Sequence, residues 1–219
     1  MARSFAAETA ELLNLTVTDG IRIALQKRGD DTAVIGYGLS KTKMVPRPIP
    51  LAVAGKARVF LYLIHTLSLD HEQRYLTATS STLSLYTSEQ MRDDELIVGL
   101  DYTRERANEF PSTHLHVAGD RSDLDDICHG ERKTRSLRSL HLPVGGRRFR
   151  PTLEDMIEFV ITERMVEPRD NWHSVVKESR GKWEKIQAGA VARKFQFEAA
   201  QQLKHAGWTV TPPADLGSE

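Results

Sequence analysis

Two histidines share one strand-like segment in a pattern that bears on chemistry. Between Phe110 and Val117 the chain reads Phe-Pro-Ser-Thr-His-Leu-His-Val, so His114 and His116 alternate with Leu115 and Val117. In a β-strand successive side chains point to opposite faces. If the aliphatic pair faces a core, both imidazoles stand on the open face. His141 repeats the arrangement between Leu140 and Leu142. Pairing of the strands near 115 and 141 would bring three imidazoles to one patch. Such a patch can serve as acid and base in phosphodiester cleavage. It can also hold a divalent metal, with Asp101 or Asp120 as a carboxylate ligand. The acid–base use is preferred, and it needs no cofactor. Against both stands the plainer reading that these are half-exposed sheet histidines without a role.

The second constellation is basic. Residues 132–150 hold Arg132, Lys133, Arg135, Arg138, Arg147, Arg148 and Arg150 with no acidic residue among them, and Phe149 lies between two arginines. Guanidinium groups grip phosphate bidentately and an aromatic ring stacks on a base, so RNA or a nucleotide is the expected guest. The competing reading is a solvated face balanced by Asp120, Asp123, Asp125 and Asp126. His65 falls on an apolar strand face and is expected to be a hydrogen-bonded core residue. Trp172 and Trp183 are expected as packing anchors that can also dock a protein partner. The phosphate-binding loop, the Gly-x-Ser-x-Gly elbow and the His-Glu-x-x-His zinc motif are all missing from the chain.

The order of features over about 59–161 carries a resemblance. An antiparallel meander bearing tyrosines leads to Asp101-Tyr102-Thr103-Arg104, then Phe110-Pro111, then His114-Leu115-His116-Val117, and later a proline-led amphipathic helix. This order resembles prokaryotic proteins related to the TumE-type toxins of toxin–antitoxin operons, whose pattern runs from an Arg-Tyr-Asp-like strand into a Pro-His-His-x-His-like strand. The present chain departs from it: Ser112 and Thr113 separate the proline from the first histidine, and two histidines remain. The resemblance covers less than half of the chain. It implies membership of bacterial or phage conflict systems.

The elements that must position these residues are legible by period. Residues 2–13 are rich in Ala, Glu and Leu and read as a helix. Over 15–28 a hairpin about Asp19-Gly20 is preferred to a helical alternative closed by Gly29. Residues 33–39 and 45–53 read as extended, the latter on an edge or in a loop because prolines 46, 48 and 50 cannot donate to a ladder. From 59 to 69 apolar residues occupy alternate positions, the chain turns at 70–73, and it returns through Leu76 and Ala78 and then Leu83 and Leu85. The change of parity predicts a bulge near Ser80 and Ser81. Strands follow at 96–102, 113–117 and 139–144, with a loop over 119–135. From Pro151 the period lengthens to about 3.6. Thr152 and Asp155 form a capping-box-like start, and Leu153, Met156, Ile157, Val160 and Ile161 form one stripe. A second helical stretch spans about 171–206, with breaks expected at Gly181 and Gly189 and a stop at Gly207.

Composition bounds the rest. The chain has 219 residues, 30 Lys plus Arg against 30 Asp plus Glu, and one cysteine, Cys128. Zero net charge argues against bulk coating of nucleic acid but leaves room for a local basic patch. A lone cysteine excludes an internal disulfide framework. The longest apolar run, 59–64, is far short of the roughly 20 residues that cross a bilayer. The expectation is therefore a cytoplasmic α+β protein without membrane contact. It has an antiparallel sheet of about six strands, with an N-terminal helix and C-terminal helices packed on one face. Residues 1–150 form the β-rich body, 151–208 the helical part of the same domain, and 209–219 a flexible tail. The expected function is that of a toxin-like or defence-associated protein acting on RNA or nucleotides as a histidine-dependent ribonuclease. His114 and His116 would be acid and base with His141 assisting, and Arg104, Arg135, Arg147 and Arg148 would hold phosphate. The alternative is a non-enzymatic binding protein, such as an antitoxin, adaptor or phage accessory factor, acting through its basic segment and C-terminal helices.

Overall fold

A computed structural model describes residues 1–29, 31–70, 73–104, 110–119, 137, 142–144 and 150–211. Its elements are α1 (Ala2–Thr16), β1 (Ile23–Lys27), β2 (Thr32–Tyr37), β3 (Ile49–Val53), β4 (Lys56–Leu69), β5 (Leu76–Tyr86), β6 (Leu96–Thr103), β7 (Thr113–Val117), β8 (Leu142–Pro143), α2 (Leu153–Thr162), α3 (Trp172–Lys194) and α4 (Gln196–His205). The protein is α+β, as its alternating periods require, with eight described strands where about six were expected. All eight join one antiparallel sheet in the order β1-β2-β4-β5-β6-β7-β8, and β3 pairs with β4 alone. That edge position fits Pro50 of β3, which has no N–H to donate to a ladder, and the prolines that precede the strand. Two compact units divide the chain, Met1–Ser179 and Arg180–Glu219.

The first unit is held by one face of the sheet. Leu61, Leu63, Leu83 and Leu85 are buried together with Leu12 and Leu13 of α1, and with Met156, Ile157 and Val160 of α2. Leu67, in the alternating run of β4, is buried beside Ile35 and Ala6, while Val98 and Leu100 of β6 are only partly buried against the main core. The expected bulge is present: Thr66 pairs with Ser80 but Leu67 pairs with Ala78, so one residue of β5 is skipped and the apolar parity changes there. Helix α2 begins as its sequence predicts, with the Thr152 N–H donating to Asp155 Oδ2 at 2.7 Å.

Two local expectations are corrected. Residues 15–28 do not form a hairpin: α1 continues to Thr16, because Leu12, Leu13 and Val17 extend its buried stripe. The chain then returns to β1 through a loop latched by one side chain. Asn14 Nδ2 donates to Ile21 O and the Ile21 N–H donates to Asn14 Oδ1, each at 2.8 Å, mimicking a backbone pair. The helical region also runs through Gly181 and Gly189 and breaks instead at Phe195, where ψ is 62°. Helix interiors tolerate single glycines at a modest cost. The stop at Gly207 is present, with φ +86°, a conformation that favours glycine. Among the described residues no helix is long and apolar enough to cross a membrane.

Candidate functional site

Strands β5, β6 and β7 carry the site because their register is continuous across the sheet. Leu63, Leu83, Leu100 and Leu115 make one cross-strand row toward the core. One residue along, the rows face the other way. Ile64, Thr82, Asp101, His114 and Pro143 form one such row, and Tyr62, Ser84, Gly99 and His116 form its neighbour. His114 and His116 therefore occupy the face opposite the main core, as the alternation with Leu115 and Val117 predicts. The pairing expected between the strands near 115 and 141 is also present, through Leu115 with Leu142 and His114 with Pro143. His141 itself lies outside the described residues.

Asp101 ties the two histidines together. Its Oδ2 lies 3.4 Å from His116 Nε2, and its Oδ1 accepts a 2.5 Å hydrogen bond from Thr82 Oγ1. The His114 and His116 rings stand nearly perpendicular, at 86°, with centroids 5.0 Å apart. His114 Nδ1 lies 3.0 Å from the Pro111 carbonyl oxygen, which can only accept, so Nδ1 carries a proton. One ligand atom from each of Asp101, His114 and His116 lies within 4.8 Å of the other two. The group is solvent-reachable, with side-chain exposures of 18% for His116 and 33% for Asp101.

The surroundings favour a charged Asp101. Burial pushes its carboxyl upward, but the His116 ring nitrogen beside it, the Thr82 hydroxyl and the charge of both imidazoles outweigh that and hold it below the ordinary carboxylate value. Tyr62 moves the other way: burial first, then Tyr86 and Asp101, raise its phenol, which stays protonated at neutral pH. Gly99 supplies the room. A Cβ there would stand 3.1 Å from Ser84 Oγ and 3.7 Å from His116 Cβ.

The expected phosphate ligands are placed only in part. Arg104 follows β6 directly, and its Nε is buried with no hydrogen-bond partner among the described residues. Arg135, Arg147 and Arg148 lie outside the described residues, as does Asp120. Arg150 packs its guanidinium 4.0 Å over the Tyr102 ring. His65 is a core residue: it is buried, its Nδ1 lies 2.7 Å from Ser81 Oγ, and the Phe5 ring meets it edge-on. Thr82 and Tyr62 were missed as site residues. The polar parity of Ser80, Thr82 and Ser84 in β5 was the available signal for Thr82. Tyr62 had none, because its alternation among leucines marks only the side of the strand.

Comparisons with protein-family models, with curated proteins and with solved structures found no match.

Proposed function

We propose that the protein cleaves RNA phosphodiester bonds, as a toxin-like or defence-associated ribonuclease, at the centre formed by Asp101, His114 and His116. The observation that carries this reading is the convergence of two imidazoles and a carboxylate on one solvent-reachable patch of the sheet. Chain cleavage needs a proton taken from the attacking oxygen and a proton given to the leaving oxygen. Imidazoles can do both directly, or water on a cation held by the same side chains can do so. In the first route Asp101 orients and charges His116, and in the second it is a ligand beside both histidines. The resemblance to TumE-type toxins points to the same substrate class.

Regulated expression in a bacterial host tests the reading. The wild-type chain should arrest growth and degrade cellular RNA, whereas Asp101→Asn should do neither at equal protein level. Arrest by wild type and Asp101→Asn alike would set the reading aside.

The second unit favours a binding role beside, or in place of, cleavage. Phe197, Trp208 and Ile186 are about two-thirds or more exposed in it. Residues 180–211 carry six Lys or Arg against two Glu, a net of plus four. Aromatic and basic surface of that kind is where a protein or RNA partner would be expected. If variants at the Asp101 centre stay folded and keep their effect on growth, this binding role becomes the better reading.

A further inference from the structure

We infer that Asp101, His114 and His116 form a binding site for one divalent transition-metal ion of the Zn²⁺ class. The inference deepens the proposed function by naming a cofactor for its centre, and it rests on that reading only for what the ion would do there.

The separation of His116 Nε2 from Asp101 Oδ2 is 3.4 Å. A charge-assisted hydrogen bond between such groups would close to about 2.7–2.9 Å. Two ligands on one tetrahedral ion, with bonds of about 2.0–2.1 Å, stand about 3.3 Å apart. The pair is thus spaced as neighbouring ligands are. His114 completes a set whose three ligand atoms fall within 4.8 Å of one another, so closure about an ion shortens the widest separation by up to about 1.5 Å. Two imidazoles and one carboxylate are ordinary ligands for Zn²⁺, and for other first-row ions with open positions.

The supporting contacts agree. A metal-bound histidine commonly donates its other ring N–H to a carbonyl or carboxylate, which fixes the tautomer. His114 does so through Nδ1 to the Pro111 carbonyl, presenting Nε2 as the ligand atom. Asp101 has Oδ1 fixed by Thr82 and turns Oδ2 toward His116. All three ligands come from adjacent, paired strands, since Asp101 is opposite His114 and Gly99 is opposite His116. Ligands on sheet strands are held more firmly than ligands on loops. Three protein ligands leave a position for water, whose pKa an ion of this class lowers to about 7.

Metal binding to tag-free, chelator-treated protein tests the site without any RNA. Zn²⁺ titrated in a calorimeter should bind at one ion per chain, and Co²⁺ should give visible absorption that Zn²⁺ abolishes. Asp101→Asn, His114→Ala and His116→Ala should each weaken binding at least tenfold. Thr82→Val should weaken it by about 10–100-fold, because it removes only a supporting contact. Metal-free melts matching wild type would show that the variants are folded. Wild-type protein that takes up no ion, or binding that all four variants retain, would overturn the site. RNA cleavage by a wild type that binds no ion would overturn it too, while leaving the proposed function standing. One ion bound by wild type and lost in the variants, with no RNA cleaved, would support the site and remove the proposed function.

Discussion

Asp101 and His65 show how a neighbouring strand decides what a side chain can do. Asp101 meets Thr82 on one strand and His114 on the other, and holds its charge against partial burial. His65 meets Ser81, and burial, aided by the charge of Arg150, lowers its pKa to about 4. An unfolded chain protonates this imidazole near pH 6.5, whereas the folded chain waits until about pH 4. The unfolded state therefore binds more protons in that window, and stability falls as the pH drops through it. Between pH 7 and pH 4.5 the loss from this group should be on the order of 2–3 kcal/mol. Denaturant melts at both pH values should show a smaller difference for His65→Gln than for wild type. An equal difference would mean that His65 is not held neutral. At this scale the sequence was readable where alternation places a side chain: it put His114 and His116 on the open face and His65 toward the core. It could not supply Thr82 as the partner of Asp101, because that pairing depends on the register between β5 and β6, which sets Thr82 opposite Asp101.

The strands and helices rest on a shared apolar surface. Leu63 is fully buried at the centre of β4, among Leu61, Leu83, Leu85 and the α2 stripe. Leu63→Ala should cost about 2–5 kcal/mol, since truncating a buried leucine forfeits transfer energy and leaves a cavity. An unchanged denaturation midpoint would contradict the packing. Periodicity made these elements legible: alternation gave β4 and β6, and the 3.6-residue stripe gave α2. It failed over 15–28, where Val17, Ile21, Ala24 and Leu25 suit either period. Asn14 decides the outcome there by latching Ile21, and a side-chain amide standing in for a backbone pair leaves no periodic trace. Phe195 likewise breaks the C-terminal helical stretch without a glycine or proline to announce it.

Across the whole chain, equal numbers of acids and bases conceal local imbalance. The segment 132–150 is wholly basic among its charged residues, and it is joined by the basic surplus of 180–211. If RNA follows the first of these, replacing Arg147 and Arg148 together by Ala should weaken binding at every sequence. It should also reduce the slope of log K against log salt by about two, one for each phosphate that is no longer neutralised. Filter binding at several salt concentrations would show this, and an unchanged slope would take the segment out of the interface. Composition could exclude bulk electrostatic coating, but it could not locate the reactive centre. That centre depends on a register bringing residues 82, 101, 114 and 116 together from three strands.

The claim that these residues form a cleaving centre is tested most directly by one rate. Purified wild-type protein and His114→Ala should be compared on the same end-labelled RNA, with divalent metal supplied and a thermal melt of each protein alongside. His114 lies on the open face, so its removal should leave the melt nearly unchanged, as substitutions outside a core usually do. The cleavage rate should fall at least a hundredfold, the usual scale for loss of a group that moves or positions a proton. A folded His114→Ala protein that cleaves at the wild-type rate would contradict the assignment of this centre.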